Sequence, residues 1–457
     1  MLAGCGGGGS GGGGPIGGGG GATPTPSPTT AGCALRDRQD WVLAQLQEWY
    51  LFPTLLDASV NPAAHGTIDS YIDALVAPAR AQNRDRFFTY RTSIAEENAF
   101  YQLGQTAGFG IRLGYDSTAN RVFVIESFEG APALAAGIDR GTELLQIGSQ
   151  SVSSLMASGG PSAVIQALGP DTVGTTRQLT IRQPSGTQST VSLGKTNFAL
   201  DPVSDRYGAR ILADGARRIG YLNMRTFIDT SDPNLRAAFA DFKAQGVTEL
   251  IIDLRYNGGG LVSIAELMGD LLSLGRAGQV AGYVTFRDSK AAENETFTFR
   301  AQPQAIAATK IAFIGTRSTA SASELVINGM VPFLGSNMAL VGTNTYGKPV
   351  GQIALDRAAC DDRLRAVAFK TENANRQGEY YSGLATTVPV TCRASDDITR
   401  QLGDPNEAMV RAALDYLAGR SCSAITAIGT QAVSGRAVLA DEAPSASTIR
   451  RELPGAY

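Results

Sequence analysis

Histidine is the scarcest chemical resource in this chain. His65 is the one histidine among 457 residues, so any Ser-His-Asp triad must run through it and a multi-histidine metal site is excluded. The five cysteines, Cys5, Cys33, Cys360, Cys392 and Cys422, lie far apart and form no CxxC pair for zinc or dithiol chemistry. No metal and no cofactor is expected. What remains is serine, lysine, acids and backbone amides, and three loops concentrate them: Gly258-Gly259-Gly260, Ser321 and Lys348. Each follows an apolar run that reads as a buried strand, at 250–254, 310–314 and 339–341. In a parallel sheet the carboxyl ends of the strands share one edge, so the three loops can converge in one crevice. A serine nucleophile, a neutral lysine base and a turn with unused N–H groups suffice for acyl transfer without histidine. A lysine in that role must lose its proton, which requires burial to bring its pKa from ~10.4 toward ~7–8.

The elements that must position these loops alternate between strand and helix from residue 218 to 419. Asp232-Pro233 reads as a helix start and Gly246 as its stop. Ile264, Leu267, Met268 and Leu271 share a helical face, residues 325–330 continue a helix behind Ser321, and Asp404-Pro405 reads as the cap of a final helix. The alternation predicts an α/β fold with an open, mostly parallel sheet covered by helices. Upstream, residues 33–103 are helical in pattern, with Leu35, Val42, Leu46 and Trp49 on one face and Ile68, Ile72, Leu75 and Val76 on another. Thr67 is the expected N-cap of that second helix, and His65, in the loop before it, reads as a surface residue. Residues 104–197 change to short strands and glycine punctuation. Residues 1–32 form a Gly/Ser/Pro-rich tether that cannot bury a core, and 421–457 is a small, polar tail.

Composition narrows the function classes. With 43% hydrophobic residues the chain can build packed cores, whereas 18% charged residues and a net charge of −3 offer no basic field for nucleic acid. No apolar run approaches the ~18–20 residues of a membrane span.

Taken singly, each motif has a plain structural reading. Ser321-x-x-Glu324 is also a capping box, Lys348 in Tyr-Gly-Lys-Pro is also a loop lysine, and Asp253 with Arg255 reads as a structural ion pair. The glycine turn is not followed by the Gly-Lys-Ser/Thr of a phosphate-binding loop. Gly8-Gly9-Ser10-Gly11-Gly12 and Ser192-Leu193-Gly194-Lys195 match hydrolase motifs formally but lie in a tether and at a strand end.

Together the motifs resemble two known families. Gly108-Phe109-Gly110-Ile111, the strand 121–125, Gly130-Ala131-Pro132-Ala133 and the strand 143–147 resemble a PDZ domain over 104–197, with Gly141-Thr142 where the usual pair is Gly-Asp. That resemblance implies that Gly108, Phe109, Gly110 and Ile111 receive the terminal carboxylate of a peptide. Thr319-Ala320-Ser321-Ala322-Ser323-Glu324, Gly347-Lys348-Pro349-Val350-Gly351-Gln352 and Asp253-Leu254-Arg255-Tyr256-Asn257-Gly258-Gly259-Gly260 resemble the C-terminal processing (tail-specific) peptidases, over roughly residues 36–420. The resemblance implies a peptidase core at 198–420, Ser321 as nucleophile, Lys348 as general base and Gln352 as the residue that orients it. Ala322 and either Gly259 or Gly260 would supply the oxyanion N–H groups. The implied partners are protein or peptide substrates with apolar C-termini, and the competing class is a retired PDZ adaptor that binds C-termini without cutting. Leu2-Ala3-Gly4-Cys5 looks like a bacterial lipobox, which implies a lipidated Cys5, a periplasmic location and a signal region upstream of Met1. Four cysteines then remain for an oxidising compartment, and the expected pairing, one of three connectivities, is Cys360–Cys392 with Cys33–Cys422.

Overall fold

The runs of Leu, Ile and Val that read as buried strands split their side chains between two helical layers. The computed structural model describes residues 31–426, so Cys5, the tether and most of the tail lie outside the described residues. Six strands form the central sheet in the order Ala209–Asp214, Arg217–Asn223, Glu249–Asp253, Lys310–Gly315, Met338–Gly342, Thr391–Arg393. Leu250 and Ile252 pack with the helices Ser231–Ala244, Val262–Leu271 and Ala322–Leu334, while Ile251 joins Ala312, Ile314, Ala339 and Val341 against the helix Ala408–Leu417. Successive strand residues point to opposite faces, and both faces are covered, so neither polar alternation nor exposure appears in the three central strands, Glu249–Asp253, Lys310–Gly315 and Met338–Gly342.

The expectation of a mostly parallel core is corrected. Four pairings are parallel, all in this one sheet. Every other strand pairing among the described residues is antiparallel. A second sheet carries Tyr90–Ser93, Asp362–Asn373, Val280–Phe286 and Glu295–Thr298 in that order, with Val350–Arg357 also paired to Asp362–Asn373. Two of its pairings are hairpins, Val280–Phe286 with Glu295–Thr298 and Val350–Arg357 with Asp362–Asn373, which force antiparallel pairing, and no strand–helix alternation marked them.

Helix starts also shift. The helix Ser231–Ala244 begins before Asp232, and the last helix is capped by Glu407, which accepts from Val410 N at 3.0 Å. Asp404 instead closes the preceding turn by accepting from Asn406 N at 2.8 Å.

The N-terminal helices Leu35–Trp49 and Ile68–Leu75 cover the second sheet, with Val42, Leu46, Ile72 and Leu75 against Val350, Leu364, Ala366 and Val367. Thr67 caps the latter helix, accepting from Ser70 N at 3.1 Å. Glu97, nearly fully buried, pairs with Arg363 and Arg365 at 2.9 and 2.7 Å. The inserted region 104–197 builds its own core on antiparallel strands ordered Ile111–Asp116, Arg121–Ser127, Glu143–Ile147, Thr176–Arg182, Gln188–Gly194. Its helix Val152–Leu168 is broken at Gly160, φ 62°, just before Pro161.

Both expected disulfides are overturned. The bonds are Cys33–Cys360 and Cys392–Cys422. Cys360 lies in the turn between Val350–Arg357 and Asp362–Asn373, where Arg357 also donates to Gly32 O and Asp37 O, so the start of the described chain is held there. Cys392 lies in the other sheet, on the edge strand Thr391–Arg393. The two bonds span 327 and 30 residues respectively. Loop-closure entropy then makes removal of Cys33–Cys360 cost about 2 kcal/mol more than removal of Cys392–Cys422. Urea unfolding of the Cys33→Ser/Cys360→Ser and Cys392→Ser/Cys422→Ser chains is expected to show that order.

Candidate active site

Ser321 precedes the helix Ala322–Leu334 in a conformation that side chains rarely adopt, φ 55° and ψ −116°. Such a residue costs on the order of 1–3 kcal/mol and persists only where its surroundings enforce it. Here Ala320 N donates to Asn257 O at 3.1 Å, Leu325 N donates to Ser321 O at 2.8 Å, and Ser321 N donates to Glu324 Oε2 at 3.2 Å. A strained strand-to-helix turn is also how hydrolases present a nucleophilic oxygen.

The glycine loop is built by Asn257, which is almost wholly buried. Its side chain donates to Met224 O at 2.9 Å and accepts from Gly259 N at 2.9 Å, while its carbonyl also accepts from Ser323 Oγ at 2.9 Å. The N–H of Gly259 is thereby committed inside the loop. Gly259 lies against the serine: a Cβ there would stand 2.7 Å from Ser321 Cβ and 2.9 Å from Ala322 N, at a φ of 112°. Only glycine fits.

The third loop leaves Met338–Gly342 and enters Val350–Arg357, crossing from one sheet to the other. Lys348 is 3% exposed, and its Nζ donates to Gln352 Oε1 at 3.1 Å. The Phe88 ring lies 5.0 Å from that nitrogen, and Gln352 Nε2 donates to Phe88 O.

One acid joins the serine loop to the lysine loop. Glu324, with no exposed surface, accepts through Oε1 from Thr345 Oγ1 at 2.6 Å and Gly347 N at 2.7 Å. Its Oε2 accepts from Lys348 N at 2.7 Å besides Ser321 N. Burial pushes its carboxyl up to about 7, against four hydrogen bonds that pull it down. The sequence showed Glu324 as a helix-capping partner. Its acceptance from Thr345, Gly347 and Lys348 had no local signal, because those donors lie 21 to 24 residues away.

The structure places Gly259 against Ser321 and Ala322, joins the Ser321 turn to the Lys348 turn through Glu324, sets Gln352 on the Lys348 amine, and packs Gly260 against Phe227. It keeps His65 apart, in a loop beside Tyr71. Lys195 is buried elsewhere, donating to Gly169 O at 2.8 Å and Asp171 at 2.6 Å. Gly108, Phe109, Gly110 and Ile111 form the turn between the strands Gln105–Gly108 and Ile111–Asp116, in the inserted region. That region touches the glycine loop through two arginines: Arg112 donates to Tyr256 O, and Arg140 donates to Tyr256 Oη at 2.7 Å. Asp253 and Arg255 are a fully buried pair at 2.8 Å, and Arg255 also meets Glu407 at 2.9 Å and Asp396 at 2.8 Å. These acids raise the Arg255 guanidinium well above its ordinary range against the burial that lowers it, so it remains charged under the loop.

Residues 218–377 match the profile of Peptidase family S41. The chain is 26% identical over 270 residues to a chloroplastic C-terminal processing peptidase of Tetradesmus obliquus, covering 55% of this chain and 53% of that protein. It is 26% identical over 250 residues to a carboxyl-terminal-processing protease of Picosynechococcus sp., covering 54% and 55%. The chain thus spans about half the length of the curated relatives it matches. A crystal structure assigned to the S41 proteases, from Bacteroides fragilis, superposes with a TM-score of 0.64 over 83% of this chain and 97% of that one, at 22% identity, which shows a shared fold. Residues 218–377 thus resemble the S41 peptidase family, and about half of the chain is similar in sequence to carboxyl-terminal-processing peptidases.

Two tests address this site. Gly259→Ala must displace Ser321, so the rate at which an acylating probe labels Ser321 should fall about 10-fold or more. For Glu324 the folded carboxyl titrates near 7, above its ordinary 4.5, so the folded chain holds an extra proton between those values. Stability from this group is then present at low pH and is lost as pH rises from 4.5 through about 7. Unfolding measured across that range should lose this slope, on the order of 3 kcal/mol, in Glu324→Gln.

Proposed function

We propose that this protein is a serine-type endopeptidase that processes or degrades proteins bearing apolar C-termini, with Ser321 and Lys348 as its catalytic dyad. The observation that carries the reading is the Glu324 clamp, which binds backbone N–H groups of both Ser321 and Lys348 within one buried carboxylate. A merely capping glutamate needs the first contact and not the second.

In this mechanism Lys348 Nζ takes the proton of Ser321 Oγ as the oxygen attacks the scissile carbonyl carbon. Gln352 holds the amine by accepting one of its N–H groups. The oxyanion is met by Ala322 N–H, an orphan donor at the first position of a helix, and by Gly260 N–H, because that of Gly259 is already given to Asn257. Lys348 returns the proton to the departing amine, leaving an acyl-enzyme. Water, deprotonated by the same lysine, then cleaves the ester and restores Ser321. No metal or cofactor takes part.

The inserted domain, read as PDZ, would hold the substrate's terminal carboxylate at Gly108, Phe109, Gly110 and Ile111 while the peptide adds to the strand Ile111–Asp116, which pairs on one side only. With Cys5 lipidated, the enzyme would act in the periplasm, tethered to the cell envelope.

The test is digestion of an unstructured reporter ending in apolar residues. The parent chain is expected to cut it, and Ser321→Ala and Lys348→Arg to abolish cutting while remaining folded. Arginine stays protonated and cannot be the base. A parent that binds the reporter and never cuts it is the retired adaptor, and a fully active Lys348→Arg chain refutes the dyad.

A further inference from the structure

Gln352 orients the lysine only if its own amide is held the right way round, and the group that holds it comes from outside the peptidase core. The amide NH2 can only donate and Oε1 can only accept. The Phe88 carbonyl can only accept, so NH2 faces Phe88 and Oε1 is left facing Lys348. Phe88 belongs to the N-terminal helical region, 264 residues earlier in the chain.

The turn that presents it is heavily built. Asp85, with no exposed surface, accepts from Phe88 N at 2.8 Å, Thr89 N at 3.1 Å, Thr89 Oγ1 at 2.6 Å and Tyr50 Oη at 2.8 Å. Between them Phe87 takes φ 66°, a strained value for a bulky residue, with the Arg80 guanidinium 3.7 Å from its ring centroid. Thr89 Oγ1 in turn accepts from Val367 N at 3.3 Å, and Val367 is the ladder partner of Gln352. The same turn reaches the lysine loop directly: Arg86 donates to Tyr346 O at 2.7 Å and Gly347 O at 2.6 Å.

We propose that the turn 85–89 is a positioning element of the lysine site, in which Asp85 sets Phe88 so that its carbonyl fixes the Gln352 amide and its ring walls the Lys348 amine. Asp85 and Phe88 act through Gln352 and Lys348 and do not touch the substrate. The inference rests on the Ser321–Lys348 reading above and adds the residues that aim its base.

The experiment measures reporter cleavage and thermal unfolding for the full chain and for Asp85→Ala, Asp85→Asn and Phe88→Ala. Asp85→Ala and Phe88→Ala are expected to lower kcat about 10- to 100-fold per folded molecule, with KM within about 2-fold of the parent. Asp85→Asn keeps an oxygen to accept from both backbone N–H groups and should recover most of that loss. A purely structural role would lower the thermal midpoint and the folded fraction without changing kcat per folded molecule. If Asp85→Ala does not fold, Phe88→Ala decides for the ring, which it removes while leaving the Asp85 carboxylate and the Phe88 carbonyl in place, and an unchanged kcat there overturns the inference. An active parent whose folded variants keep its kcat overturns this inference alone. A parent that never cleaves overturns the dyad reading, and this inference falls with it.

Discussion

A carboxylate buried without any exposed surface normally demands a cation, because leaving a charge in the interior costs several kcal/mol. Glu324 meets four hydrogen-bond donors instead, three of them backbone N–H groups drawn from two loops, and burial still outweighs them enough to raise its carboxyl. Side-chain donors can rotate away; backbone N–H groups move only with the chain. The carboxylate therefore fixes the Ser321 turn and the Gly347-Lys348 turn against each other, and displacing either leaves a buried acceptor unmet. The strained φ of Ser321 is tolerable under that constraint.

The rest of the architecture can be seen as support for this contact. The parallel sheet delivers the glycine and serine loops to one edge, where Asn257 joins them through its carbonyl and side chain. The antiparallel sheet delivers Gln352. Lys348 lies on the passage between the two sheets, so its position depends on their packing as well as on its own turn. Beneath the glycine loop, Arg255 binds three carboxylates with no exposed surface of its own, which holds the base of that loop to the helix Ala408–Leu417 through Glu407.

Much of the candidate site could be read from the sequence because it is written in short segments. Ser321 with Glu324, Lys348 with Gln352 and the Asn257 turn each fall within a few residues, behind apolar runs long enough to mark strands. The second sheet was not legible. Val350–Arg357 is half-exposed and charged and pairs with Asp362–Asn373 as a hairpin, so neither apolar density nor helix alternation flagged it. Contacts across long sequence separations were also invisible. Nothing near Phe88 announces that it serves Gln352, and the spacing of Cys33, Cys360, Cys392 and Cys422 does not distinguish one pairing from another. The capping of the last helix by Glu407 in place of Asp404 is a smaller instance, where two acids competed and burial decided.

The N-terminal layer is tied to the second sheet across most of the described chain. Phe88 meets Gln352 across 264 residues, and Cys33 meets Cys360 across 327. Contacts that distant form late, because the entropy of closing so long a loop must be met before they return anything. A growing chain that has made Ser321 has not yet made Lys348, and one that has made both still awaits the long strand Asp362–Asn373 that seats the N-terminal layer. The Ser321 turn is thus made before the loop and the strand that hold it, and the arrangement is complete only after Asp362–Asn373 has been synthesised and folded, a delay built into the order of the chain.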